Sequence, residues 1–116
     1  MSGAPAHPLL AAVDAVGVIH RAECVTGVTN LWSLCDLYHL TVNGDDPQHA
    51  IATYAERIGH VQIADAPGRH EPGTGQLPID GYLLQLTETG HAGWVGLEYL
   101  SSGASADSFA WLPPVA

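Results

Sequence analysis

Residues 45–75 read DDPQHAIATYAERIGHVQIADAPGRHEPGTG, and this run predicts a helix, a strand and a long loop in that order. Asp45-Asp46-Pro47 supplies a capping carboxylate followed by proline at the first helical position, where its missing N–H costs nothing. Ala50, Ile51, Tyr54, Ala55 and Ile58 form one apolar stripe, and Gly59 is placed to end the helix. His60 to Asp65 then reads as a strand. Residues 66–75 are so rich in Gly and Pro that only a loop fits.

The same rhythm extends outward on both sides. Leu9, Val13 and Val16 recur at helical spacing behind Pro8, which suits a first turn. The helix end within residues 17–30 is open. Leu31 to Cys35 reads as a short strand with Asp36 at its end. Downstream, Asp80 is placed to cap a helix carrying Ile79, Tyr82, Leu83 and Leu86 on one face, and Gly90 to end it. Trp94 to Leu100 is a third strand, and Phe109 and Trp111 suit a final short helix. The order is αβαβαβα, an α/β class. Strands joined by crossover helices run parallel and are covered on both faces.

The 116 residues carry three Arg, no Lys and twelve Asp+Glu, for a net charge of −9, and 47% are hydrophobic. That apolar share supports one small core and argues against disorder. The charge speaks against nucleic acid and anionic membranes as partners. No run approaches the roughly 18 apolar residues of a membrane span. Met1 to Ala12 lacks a basic signal region, so a cytoplasmic location is expected. Cys24 and Cys35 fit no metal or redox spacing.

Three strands each carry an oxygen donor near the C-terminal end: Asp36, Gln62 and Glu98. Parallel α/β folds do their chemistry there, because loops from several strands converge. One such residue alone is most often an ordinary polar strand end. Three in register favour a site, and an all-oxygen set suits a hard cation such as Mg²⁺ or Mn²⁺.

Cys35-Asp36-Leu37-Tyr38-His39, the run from Gly59 to Gly75, and Gly93 to Tyr99 resemble the hydroxypyruvate isomerase family of xylose-isomerase-like TIM barrels. The resemblance runs in order from about Leu31 to Trp111. It implies the last three βα units of a (β/α)8 barrel within residues 31–112, preceded over 1–30 by a helix and connector, in a single partial domain. It implies divalent-metal ligation by Asp36, Gln62 and Glu98, with Glu98 also moving a proton. It implies that His39 and Arg69 contact a small hydroxy/oxo acid substrate, and that His60 and His70 line the site. For His60, direct contact and a hydrogen-bonded supporting role are both open. His7, His20, His49 and His91 read as surface residues.

The implied reaction interconverts hydroxypyruvate and 2-hydroxy-3-oxopropanoate, one glutamate removing a carbon-bound proton and a partner returning it. That partner glutamate, also the fourth ligand, has no clear counterpart upstream of Asp36. After Tyr99 the family tends to carry a basic turn, where this chain has Leu100-Ser101-Ser102-Gly103. An eight-stranded barrel commonly takes about 250 residues, so an impaired, truncated enzyme is expected. Self-association or a complementing barrel half would then cover a face drawn from Leu34, Val61, Ile63, Val95 and Leu97. The alternatives are a related isomerase or epimerase of another 2-oxo acid or ketose, and a non-catalytic fragment acting in association.

Overall fold

The computed structural model describes residues 7–114. The expectation about Met1 to Ala12 therefore lies partly outside the described residues. Helix α1 spans Ala12–Thr26, strand β1 Ser33–Asp36, α2 Leu37–Val42, α3 Pro47–Tyr54, β2 Ile58–Ile63, α4 Ile79–Glu88 and β3 Val95–Leu97. Short 3-10 turns cover Ala55–Arg57 and Ser105–Phe109. The strands form one parallel sheet in the order β1-β2-β3, which does not close. No helix among the described residues is long and apolar enough to cross a membrane.

The parallel order and the helical connections agree with the sequence reading, whereas several boundaries differ from it. Pro8 and Leu9 precede α1, and the Asp14 carboxylate accepts from the Leu10 and Ala11 N–H groups at its start. The open segment resolves as helix to Thr26, ended by Gly27 at φ 73°. Leu31 and Trp32 lie outside β1 and Asp36 lies within it. Helix α2 follows β1 without a loop, because Asp36 turns from strand end to N-cap and accepts from His39 N at 2.9 Å.

Gly59 is not a helix terminator. It sits inside β2, where a Cβ would stand 2.6 Å from Trp32 Cβ, so close approach of Trp32 explains the glycine. Ile58 likewise belongs to β2 rather than to the helical stripe. Asp80 makes no cap: the N-cap of α4 is Pro78, and Asp80 sits in the first turn, where the helix dipole favours a carboxylate. The third strand is shorter than expected, and the final helix is the 3-10 turn ending at Phe109, which leaves Trp111 outside.

The core joins Cys35, Leu37, Ile51, Ile58, Val61, Ile63, Ile79 and Leu86, which places it between one face of the sheet and the helices α3 and α4. Val61 and Ile63 are fully buried there, and Val95 packs against the same cluster. This corrects the expected open face. Strand alternation sends Val61, Ile63 and Val95 to the helix-covered side, and leaves Leu34, which is 53% exposed, on the other with His60 and Gln62. The uncovered face is thus largely polar toward the C-terminal strand ends.

Candidate active site

Parallel register sets the site. Asp36 of β1 pairs with Gln62 of β2, and Gln62 pairs with Gly96 of β3. Glu98 lies just past β3, its N–H donating to Ile63 O at 3.0 Å and so extending the ladder by one bond. All three oxygen donors are among the residues lining one cleft of about 310 Å³, together with His39 and Arg69, and the cleft reaches back along the strands to Ser33 and Ile58. Its other walls are apolar, including Leu9, Leu10, Leu34, Leu40 and Ile58.

Asp36 is buried, and its second carboxylate oxygen lies 3.9 Å from His39 Nε2. The Arg69 guanidinium stands 3.9 Å from Glu98 Oε1 and 5.4 Å from the centroid of the Tyr38 ring. Carboxylates, an amide, an imidazole and a guanidinium therefore face one space. Such a set can accept a hard cation and an anionic ligand side by side. Among the described residues no three His, Cys, Asp or Glu side chains are placed to hold a metal ion. A cation here would need the Gln62 amide oxygen as its third donor, and oxygen donors of this kind suit Mg²⁺ or Mn²⁺ rather than a soft metal.

His60 and His70 are not among the residues lining the cleft. His60 lies within β2, not at its start, and its Nε2 is 3.1 Å from where a Gly96 Cβ would stand. Gly96 thus leaves room for that ring. His70 turns its Nδ1 to Leu100 O at 2.7 Å. His20 and His49 are exposed as expected, while His7 and His91 are half-buried; His7 Nδ1 accepts from Leu9 N at 3.1 Å.

The sequence reading missed Asp65 and Tyr38. Asp65 is buried beneath the loop after β2 and accepts four backbone N–H groups: Ala66 and Leu77 on Oδ1, Gly73 and Gly75 on Oδ2, all within 3.0 Å. Burial alone would raise its pKa, but the four N–H bonds overcome that and hold it below the ordinary value. An aspartate at a strand end before a Gly-rich loop is the signal that could have found it.

The chain belongs to the xylose isomerase-like TIM barrel family, whose model matches residues 17–115. It is 50% identical over 110 residues to a Streptomyces coelicolor protein named "Putative hydroxypyruvate isomerase", covering 94% of this chain and 39% of that one. It is 37% identical to the hydroxypyruvate isomerase of Escherichia coli, covering 76% of this chain and 34% of the relative. It is 32% identical to a 2-oxo-tetronate isomerase of Pectobacterium atrosepticum, covering 73% and 32%. A solved structure titled AP endonuclease, family 2, from Brucella melitensis superposes with a TM-score of 0.81 at 33% identity, covering 88% of this chain and 38% of that one. The chain thus spans less than two fifths of the length of these curated relatives, and its open three-stranded sheet is part of a TIM barrel.

Proposed function

We propose that the cleft is one wall of an isomerase active site that interconverts hydroxypyruvate and 2-hydroxy-3-oxopropanoate. The observation that carries this reading is that Asp36, His39, Gln62, Arg69 and Glu98 share the lining of a single cleft, with Asp36 beside His39 and Glu98 beside Arg69. Asp36, Gln62 and Glu98 would hold Mg²⁺ or Mn²⁺, which when bound supplies charge stabilisation to the substrate's adjacent oxygens. Arg69 offers a planar fork of N–H donors to the substrate carboxylate. His39 faces the remaining oxygens. Glu98 takes the proton from the hydroxyl-bearing carbon of hydroxypyruvate; a proton delivered to the neighbouring carbon, with the hydroxyl proton passing to the former carbonyl oxygen, completes the isomerisation.

Three donors satisfy only part of the six-coordinate shell that Mg²⁺ demands. Cation binding and turnover by the 116-residue chain should therefore be weak. A 2-oxo-tetronate substrate is the second reading, favoured by the 32% identity to the Pectobacterium isomerase. A DNA substrate is opposed by a charge of −9 with three cationic side chains.

The test is Mn²⁺ titration followed by electron paramagnetic resonance, paired with NMR of hydroxypyruvate and 2-oxo-tetronate. Wild-type chain should bind Mn²⁺ and convert substrate slowly, Asp36→Asn should lose the binding, and Glu98→Gln should lose both. Mn²⁺ binding that ignores Asp36→Asn would overturn the site. Turnover matching that of full-length relatives would overturn the expectation of weakness.

A further inference from the structure

Arg69 is held in an unusual way for a flexible side chain in a loop. Its backbone has φ 62°, a left-handed conformation that non-glycine residues rarely adopt and keep only when their surroundings impose it. The surroundings here are specific. Arg69 N–H donates to Asp65 O at 2.9 Å, and Asp65 N–H donates to His70 O at 2.8 Å, closing the start of the loop on itself. The Asp65 carboxylate then gathers the far side of the loop through Gly73, Gly75 and Leu77. Gly75 is required for this, since a Cβ there would meet Ala66 O at 2.1 Å and Asp65 Oδ1 at 2.6 Å.

A second set of bonds ties the same loop to the segment after β3. Leu100 N–H donates to Arg69 O at 2.9 Å, and the His70 ring bonds Leu100 O. The Glu71 carboxylate accepts from both the backbone N–H and the hydroxyl of Ser102. Glu98 lies two residues before Leu100, so one clamp fixes the backbones that carry the guanidinium and the carboxylate, whose side chains then stand 3.9 Å apart.

We propose that Asp65 and Glu71 are positioning residues that lock residues 65–77 and 98–102 together, so that Arg69 stands preformed over Tyr38 and beside Glu98 to receive the carboxylate of a small 2-hydroxy or 2-oxo acid. The ligand half of this proposal rests on the reading of the cleft given above; the locking half stands on the loop geometry alone. Preforming the clamp removes the ordering cost that a mobile arginine would add to each binding event. It also explains the PGRHEPGTG run as a mechanical unit: an arginine to present, a glutamate to fasten, and glycines to fit around Asp65.

Two readouts on the whole chain test it. In the ligand-free protein, Asp65→Asn and Glu71→Ala should each speed hydrogen exchange of the Arg69 backbone amide and broaden the motion of its Nε–H by NMR relaxation. With glycolate as the probe, both variants should weaken binding by up to about tenfold, the scale of having to order one long side chain on binding. Once Arg69→Ala has removed the guanidinium, adding Asp65→Asn should cost no further glycolate affinity. Should Asp65→Asn fail to fold, Glu71→Ala decides alone. Unchanged Arg69 exchange in Glu71→Ala would overturn the locking. Altered exchange with glycolate binding indifferent to Arg69→Ala would uphold the locking and overturn the acid-site reading.

Discussion

Replacing Arg69 with Met should strengthen divalent-cation binding while weakening carboxylate binding, two effects of opposite sign from one substitution. The guanidinium lies 3.9 Å from Glu98 Oε1, with the two side chains 36% and 52% exposed. At that separation two unit charges attract by about 1 kcal/mol in water and more in a drier setting. The exposure selects the lower figure, in line with measured surface pairs. A cation seeking Glu98 must compete with that attraction and is itself repelled by Arg69. Relief of about 1 kcal/mol corresponds to roughly fivefold tighter Mn²⁺ binding. Methionine keeps an unbranched apolar stem beside Tyr38, so packing changes little. Titration at low ionic strength, followed by electron paramagnetic resonance, should show the gain, and added salt should shrink it by screening. Mn²⁺ binding weakened by Arg69→Met would refute the reasoning, since the arginine would then be supporting the cation site rather than opposing it.

Three further outcomes are expected. Asp65 has its folded-state pKa below the ordinary 3.8, so its loop bonds contribute fully above that value and are lost as pH falls through the lower, folded one. The Gly73 and Gly75 amide resonances should therefore hold their native positions at pH 4 and move only in stronger acid; movement between pH 6 and 5 would contradict this. Burial, with help from the charges of Asp36 and Asp45, pushes the Cys35 thiol up to about 12, whereas Cys24 is exposed. Iodoacetamide at pH 8 should label Cys24 alone in native protein and both cysteines after denaturation, as mass spectrometry would show. Trp32, Leu34 and Trp94 are 60%, 53% and 83% exposed, and covering apolar surface gains about 25 cal/mol per Å². Light scattering should detect dimers or larger species whose share rises with salt as the −9 charge is screened; a monomer under all conditions would show this surface to be too small or too dispersed to drive association.

The alternation of helix and strand is legible because period and punctuation agree in residues 45–75: a proline-started amphipathic run, a β-branched strand, then glycines and prolines. The three donors at strand ends are legible for the same reason, since a parallel sheet fixes which end faces the loops. What escapes is whatever depends on a neighbour distant in sequence. Gly59 reads locally as a helix stop, yet Trp32 decides its role. Asp65 reads as one more polar strand end until its four bonds to the loop are seen. His70, placed in the site by resemblance, is engaged by a carbonyl thirty residues on. Helix α2 leaves no signal because a six-residue helix is too short for a periodic stripe, and its start depends on the Asp36 side chain.

Strand β2 shows how stability and chemistry share one short segment. Its residues alternate, with Val61 and Ile63 fully buried against the helices and His60 and Gln62 half-buried on the opposite face. Truncating Val61 or Ile63 would leave a cavity in the core without touching the cleft, and such losses commonly cost several kcal/mol. Changing Gln62 removes a donor from the cleft and leaves that packing intact. The two kinds of substitution should therefore separate cleanly in experiment, one lowering the melting temperature and the other the affinity for cation. A shift of register by a single residue would exchange the two faces, burying Gln62 and exposing Val61. The alternation is thus what keeps the oxygen donors turned toward the cleft, and the Gly59–Trp32 approach and the Glu98 N–H bond to Ile63 O hold β2 against its neighbours on either side.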